Sequence, residues 1–417
     1  MTTTMKIAVV SRGDETCGGA SRVAEDLARQ MAMKGHHTTH FVTWTGKGWT
    51  EDRQSLYGPG GLRVATTFAH RAARKFGMAE MVPFELPVAA TRLSGFDIVH
   101  FHDISGSISP LTIAAAARHA AVAWTFHDCS PFTGGCLYPQ MADCEKYKVG
   151  CGGCPLANEW PIYGWADMTP HSLRMRKRLF GSGKVSLVTP SDWMADIAWE
   201  SGNVDRRPTV ISNMVDTSLF RPAEDRELIR KKLGLPADRP VIAISAASIA
   251  DERKNVIQAI SGVVKAGAVR PFVVLIGKPD PKSHTFMPGI EFIATGYVSD
   301  RRELAEWLSA ADAFMATPKA DNQPLAVMEA LACGTPVYGW PTGGIREMVA
   351  DGVNGRMVEN DVEQLGHRLQ EDWLSGKMTG MREATGVMAA SEYAPEVFAR
   401  RHEDHYRSLI QERKSAS

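Results

Sequence analysis

Cysteine is scarce in this chain. There are 7 in 417 residues, and five of them crowd into one stretch, HDCSPFTGGCLYPQMADCEKYKVGCGGCP, residues 127–155. The rest of the sequence therefore offers no disulfide framework of the secreted type. Long apolar runs are also missing. Nothing approaches the ~18 consecutive apolar residues of a spanning helix, and the run Ile7 to Val10 is too short for a secretory signal. A cytoplasmic protein with reduced thiols is expected. Net charge is absent, with 47 basic residues against 47 acidic. A dedicated nucleic-acid binder carries a basic excess, so no nucleic-acid partner is expected. There is no low-complexity segment or fixed-period repeat. No GxGxxG fingerprint occurs, which argues against a dehydrogenase.

What is present is a long alternation of short β-branched runs and helical patterns. A chain of this length exceeds one hydrophobic core, so two domains are expected. KIAVVSRG (6–13), HTTHFVTW (37–44), FDIVHFHD (96–103), VAWTFHD (122–128) and VSLVTPS (185–191) read as buried parallel strands. Between the first two, Val23, Leu27 and Met31 with Ala24 and Ala28 make one helical face, stopped at Gly35. A second series begins near 240 with PVIAISAAS, PFVVLIG, IEFIATG, DAFMATP and TPVYGWP. RPTVISNMVDTSLFRP (207–222) is the extended join, and EYAPEVFARRHEDHYRSLI reads as a terminal helix. The fold class is α/β, with two Rossmann-like doubly wound domains facing across a cleft. Ligands in such sheets bind beyond the carboxyl ends of the strands.

Three motifs carry chemistry. In CGGASR (17–22), Gly18 and Gly19 sit between the first strand and first helix. Glycines there let backbone N–H groups approach an anion; a tight turn needing glycine for steric reasons is the alternative. In DERKNVIQAI (251–260), Arg253 and Lys254 lie near the start of an apolar-periodic helix. Two cations at a helix beginning oppose its dipole unless an anion sits there, and a nucleotide diphosphate would fit; a solvated surface pair is the alternative. In ADNQPLAVMEALACGTPVYGWPTGGIREMVADGVNG (320–355), Pro324 stands where a helix can begin, with Asp321 and Asn322 as capping candidates. Glu329 falls in the second turn, so the stretch delivers two carboxylates suited to accepting hydrogen bonds from sugar hydroxyls. TGGIRE adds a second glycine turn, Gly343–Gly344, with Glu347 behind it.

Together the Gly-Gly turn, Thr125–His127–Asp128 at a strand end, TPSDWM, ISNMVDTSLF, IATGYVSD and EALACGTPV…GGIRE…DGVNG resemble the family-4 retaining glycosyltransferases of GT-B fold. The resemblance spans nearly the whole chain and is most specific over residues 321–355. It implies an acceptor domain over residues 1–205 with a Cys-rich insertion at 129–165, and a nucleotide-sugar donor domain over 206–390. A C-terminal helix over 391–417 is expected to return to the first domain.

The resemblance also implies roles. His127 would contact the transferred sugar or orient the acceptor. Arg253 and Lys254, with the Gly18–Gly19 amides, would stabilise the leaving diphosphate. Asp321 would contact the sugar, supported by Asn322, Gln323 and Leu325. Glu329 would hold the ribose hydroxyls, and Gly343 and Gly344 belong to the same donor site. The family more often carries arginine five residues before the lysine and glycine after it, where this chain has Ile249 and Asn255. Asp321 stands where the family has glutamate. The implied donor is a UDP or GDP sugar of hexose type, and the implied acceptor a glycan or lipid-linked glycan of surface-polysaccharide or lipopolysaccharide synthesis. Catalytic divalent metal is not expected, since no Asp-x-Asp motif is evident. A catalytically degenerate nucleotide-sugar-binding scaffold and a sugar-nucleotide epimerase are the competing readings; a phosphorylase would need a pyridoxal lysine that is not identifiable.

Cys136, Cys144, Cys151 and Cys154 have the spacing C-x7-C-x6-C-x2-C, and CGGC is the kind of knuckle that presents two thiolates to one metal. A structural zinc is the preferred expectation over disulfides, free thiols or an iron–sulfur cluster, with Cys129 a buried thiol. His100 and His102 alternate in HFH and should point the same way, as lining or structural groups rather than a metal pair. Trp160, Tyr163 and Trp165 precede a basic helix with Arg174, Arg176, Lys177 and Arg178. This pattern fits peripheral contact with a lipid carrier at the inner membrane surface, or ordinary packing beneath a solvated helix face.

Overall fold

A computed structural model describes residues 4–78, 80–265, 269–278 and 290–416. The chain forms two compact units. One comprises Met1–Ser212 together with Phe398–Ser417, the other Asn213–Val397.

The first unit is built on seven parallel strands: β1 (Lys6–Gly13), β2 (His37–Trp44), β3 (Arg53–Ser55), β4 (Ile98–Phe101), β5 (Ala121–Thr125), β6 (Val185–Thr189) and β7 (Thr209–Val210). They lie in the order β3-β2-β1-β4-β5-β6-β7. Ile7, Ala8, Val9 and Val10 are all buried, because helices cover both faces of a parallel sheet and each face needs apolar side chains. The first crossover helix, Gly19–Met33, buries Val23, Ala24, Leu27, Ala28 and Met31. Its face follows the 3.6-residue period, and Gly35, at φ 87°, turns the chain into β2. Each fully buried Val, Leu or Ile contributes roughly 1.5–3 kcal/mol.

The second unit repeats the plan with β8 (Val241–Ser248), β9 (Phe272–Lys278), β10 (Glu291–Gly296), β11 (Ala313–Ala316), β12 (Val337–Gly339) and β13 (Gly355–Met357). Their order is β10-β9-β8-β11-β12-β13. Alternation along β8 sends Val241 and Ala243 into one core and Ile242 and Ile244 into the other.

In both sheets the strand order reverses once, between β1 and β4 and between β8 and β11. Loops diverge at such a switch point and leave a crevice at the carboxyl ends of the strands. The chain therefore delivers Asp14–Gly19 and His102–Asp103 to one crevice, and Arg253–Lys254 and Asp321 to the other.

The cysteine-rich segment belongs to the first unit's core. Cys129 and Phe132 are fully buried, and Asn203 Nδ2 donates to the carbonyls of both Phe132 and Tyr147 at 2.8 Å. Cys136, Cys144, Cys151 and Cys154 line one small cavity beside Tyr147. All seven cysteines are free thiols. Among the described residues no group of three or more His, Cys, Asp or Glu is disposed to hold a metal ion. The zinc expectation at Cys136, Cys144, Cys151 and Cys154 is thus corrected. Burial raises the Cys136 thiol to about 12 and also raises Cys151 and Cys154, so these side chains sit as neutral, weakly polar groups.

The basic helix, Thr169–Phe180, needs a second correction. Arg176 is not on its exposed face but fully buried, paired with Glu80 and Ser172. Trp160 packs between the guanidinium groups of Arg12 and Arg74, at 5.0 and 5.1 Å. Tyr163 and Trp165 are exposed. Among the described residues, no helix is long and apolar enough to cross a membrane.

Candidate active site

In the second unit, Arg253 and Lys254 lie in the loop after β8, just ahead of the helix Val256–Lys265. Lys254 Nζ donates to Asp321 Oδ2 at 2.6 Å, and Arg253 Nη1 donates to the same oxygen at 3.0 Å. Two hydrogen bonds to main-chain carbonyls fasten this loop to the one after β11: the Arg253 guanidinium donates from Nη1 to the Ala320 carbonyl, and the Lys319 N–H to the Arg253 carbonyl. Burial works to raise the Asp321 carboxyl, but Lys254 and then Arg253 outweigh it and hold it lowered, so it is ionised. One carboxylate thus bridges two adjacent cations and offsets only one of their two charges, beside a narrow cavity lined by Ser245, Lys254, Thr317, Asp321 and Pro324.

Asp321 is not a helix cap. The helix Leu325–Ala332 starts from Pro324 without a side-chain cap, and Asp321 Oδ1 instead accepts from the Asn322 N–H at 3.0 Å. Gln323 Oε1 accepts from Asn213 N–H at 2.7 Å, which anchors the start of the unit. Glu329 is buried on the helix, outside the cavity lining, and Leu325 is half-buried. Gly343 and Gly344 are buried immediately before the short helix Ile345–Met348.

Asn255, which occupies the family's glycine position, has φ 57°. Asparagine is among the few side chains that tolerate this left-handed region, so the departure from glycine preserves the backbone shape. Sequence reading alone saw only a mismatch there.

In the first unit, Gly18 has φ 126°, a region that favours glycine, and a Cβ added there would meet nothing within 4 Å. Its glycine is therefore a matter of backbone conformation rather than crowding. Gly18 and Gly19 are exposed, and Gly19 opens the helix Gly19–Met33, with its N–H groups at the positive end of the dipole. Asp14 holds the turn that leads there, accepting from Thr16, Thr45 and the backbone N–H groups of Gly46 and Lys47. Burial tends to raise Asp14, but these hydrogen bonds prevail and lower it to about 2.

His127 stands just past β5 and is half-buried. Its Nε2 is 2.9 Å from His102 Nδ1. His102 lies 4.4 Å from the His100 ring, and His100 bonds Tyr406 and Thr125, each at 2.7 Å. HFH therefore does place both rings on one side, in a polar chain rather than a metal pair. Burial lowers His127 to about 4 and His102 well below the usual histidine range, so both rings are neutral. Among the described residues, His102 Nε2 is buried without a hydrogen-bond partner. An unpaired buried acceptor is less costly than an unpaired N–H, which assigns the His102 proton to Nδ1. His127 Nε2 then accepts, leaving its Nδ1–H as a donor. Next to it, burial raises Asp128 to about 7. The HFH alternation marks His102 from sequence as a lining or structural group, whereas Asp14 carries no comparable signal.

Comparison with known proteins agrees with this architecture. Residues 17–219 match the model described as Glycosyltransferase Family 4, and residues 239–371 match that described as Glycosyl transferases group 1. A protein of Escherichia coli (strain K12) named as a colanic acid biosynthesis glycosyl transferase, WcaC, is 27% identical over 366 residues, covering 84% of this chain and 86% of that one. The fold is that of sucrose-phosphate synthase from Thermosynechococcus elongatus, with TM-score 0.69 at 18% identity over 99% of this chain and 100% of that one. Anabaena Alr3699/HepE, solved in complex with UDP, gives TM-score 0.67 at 14% identity over 97% and 100%. With the two models together spanning most of the chain and both parallel sheets doubly wound, this protein belongs to the family-4 glycosyltransferases of GT-B fold.

Proposed function

We propose that the protein moves a hexose-type sugar, with retention of anomeric configuration, from a UDP or GDP sugar to a glycan or lipid-linked acceptor in surface-polysaccharide synthesis. The observation that carries this reading is the Arg253–Lys254–Asp321 cluster at the β8/β11 switch point. Two cations held side by side suit a diphosphate, and the carboxylate on them is poised to exchange for that anion. Released from the cations, Asp321 would accept from hydroxyls of the transferred sugar, with Asn322, Gln323 and Leu325 supporting the loop. Glu329 would serve the ribose, and Gly343–Gly344 would complete the donor-binding set.

Cleavage of the bond from the anomeric carbon to phosphate builds negative charge on the leaving diphosphate. Arg253 and Lys254 would stabilise it there; the Gly18–Gly19 amides, at the head of a helix in the first unit, are assigned as anion donors. The acceptor oxygen bonds the anomeric carbon from the face the phosphate leaves, and the acceptor's proton passes to the departing phosphate oxygen. His127 would contact the transferred sugar or orient the acceptor. We assign residues 1–205 to acceptor recognition and residues 206–390 to the donor. The colanic acid role named for the Escherichia coli relative supports a polysaccharide acceptor, and the UDP complex of Alr3699/HepE supports a uridine donor. The exposed Tyr163 and Trp165, with Arg174, Lys177 and Arg178, support peripheral contact at the cytoplasmic membrane face.

A nucleotide-sugar panel tests the reading. UDP or GDP sugars should raise the melting temperature and be slowly hydrolysed, and the glycosylated product should keep the donor's anomeric configuration by NMR. A protein that binds a nucleotide sugar but never turns it over would favour the scaffold instead.

A further inference from the structure

Outside these clusters, the first unit holds a groove of about 390 Å³ between the end of β2 and the helix Gly60–Lys75. That volume lies within the ~300–1,000 Å³ typical of small-molecule sites. Arg63, Val64, Thr67, Phe68 and Arg71 form one wall at helical spacing, and Thr43, Trp44, Thr45 and Trp49 the other. The aromatic walls are not packed away. Trp44 is 52% exposed and Phe68 74% exposed.

The lining contains no carboxylate. Arg63 lies over the Trp49 ring at 4.7 Å, which fixes its guanidinium while leaving its N–H edges open. Neither Arg63 nor Arg71 forms an ion pair among the described residues. Two uncompensated guanidinium groups beside aromatic faces and threonine oxygens are complementary to an anion attached to a hydroxyl-rich ring. Each guanidinium matches a carboxylate in a bidentate fork. Trp44 and Trp49 offer apolar faces to the C–H side of a pyranose, and the threonine oxygens can accept from its hydroxyls. A lipid surface would need none of the concavity and would gain nothing from the threonines.

The groove is also joined to the glycine turn. Thr43 Oγ1 donates to the Arg12 carbonyl at 2.7 Å, and Thr45 Oγ1 to Asp14 at 2.6 Å. We propose that this groove binds a uronic-acid residue of the acceptor glycan, with Arg63 and Arg71 on the carboxylate and Trp44 and Trp49 on the ring. The proposal rests on the glycan-extending reading above and specifies its acceptor.

The test is direct binding to the full chain, followed by NMR and tryptophan fluorescence, with D-glucuronate and a galacturonate trimer set against glucose and maltotriose. The acidic sugars should bind at least tenfold more tightly than the neutral ones, and the preference should weaken with salt. Arg63→Gln and Arg71→Gln should each weaken the acidic sugars about tenfold while leaving nucleotide-sugar hydrolysis unchanged. Equal binding of acidic and neutral sugars, or no effect of either substitution, would overturn the proposal. So would arginine-dependent binding to phosphatidylglycerol vesicles without saccharide binding. Nucleotide binding measured on the same samples separates the failures. If UDP or GDP still binds, only the groove assignment falls; if neither nucleotide nor saccharide binds, the transferase reading falls with it.

Discussion

Replacing Asp321 by Asn isolates the electrostatic logic of the donor site. Asn keeps an oxygen for the Asn322 N–H but removes the charge that Lys254 and Arg253 share. The carboxylate is 7% exposed as a residue, whereas the two cationic side chains are 22% and 27% exposed. Breaking a fully buried pair costs about 3–5 kcal/mol, and an exposed pair about 0–1 kcal/mol. The intermediate exposure here places the cost near ~2 kcal/mol, with mutual repulsion of the two cations included. For a unit of this size that lowers the melting temperature by about 4–8 °C. A nucleotide diphosphate no longer displaces a competing carboxylate in the variant. UDP or GDP should therefore bind about tenfold more tightly, as a gain of ~1.4 kcal/mol, and raise the melting temperature more than in the parent. Sugar transfer should nevertheless fall by orders of magnitude, because the group assigned to the sugar hydroxyls is gone. Calorimetry with the free nucleotide and a thermal-shift series measure both effects. Unchanged or weaker nucleotide binding in Asp321→Asn would refute the exchange of carboxylate for diphosphate.

Other perturbations follow from the same geometry. Asp128 is raised to about 7 chiefly by burial, so its contribution to stability is greatest at low pH and is lost as pH rises from about 4 to 7. Asp128→Asn should gain about 2–4 kcal/mol over the parent across that window, read from urea unfolding at several pH values; a constant difference would contradict it. Gly18→Ala forces a side chain into φ 126° without a clash, at a cost of about 1–3 kcal/mol. Turnover should fall while the fold persists, as circular dichroism and kinetics would show. Asn255→Gly should be nearly neutral, whereas Asn255→Val should lose about 1–2 kcal/mol in the left-handed conformation, measured by thermal melts. His102→Ala removes the donor to His127 and should lower kcat more than it raises the donor KM, with proportionate losses in both arguing for mere loss of structure.

Much of the architecture was readable because buried parallel strands have a strong local signature. β1 and β2 coincide with the runs KIAVVSRG and HTTHFVTW. β3 and β13, three residues each, escaped notice. Arg53–Ser55 and Gly355–Met357 pair along one neighbour each at sheet edges, where no continuous apolar run is needed. Arg176 illustrates the opposite failure. Its neighbours Arg174, Lys177 and Arg178 are exposed, so charge alone suggested a surface residue, and only its distant partner Glu80 accounts for its burial. The cysteines misled for a related reason. Spacing brought four thiols to one cavity but carries no information about the ligand geometry there.

By itself the sequence determined two doubly wound α/β units, glycine at Gly18, a basic pair after one strand and an acidic loop after another, because each follows from local periodicity or backbone chemistry. Tertiary structure alone decided that Asp321 would bridge Arg253 and Lys254, that His102 would back His127, and that Arg63 and Arg71 would stand uncompensated beside Trp44 and Trp49. These pairings join loops and strands far apart in the chain, and strand order decides which of them meet.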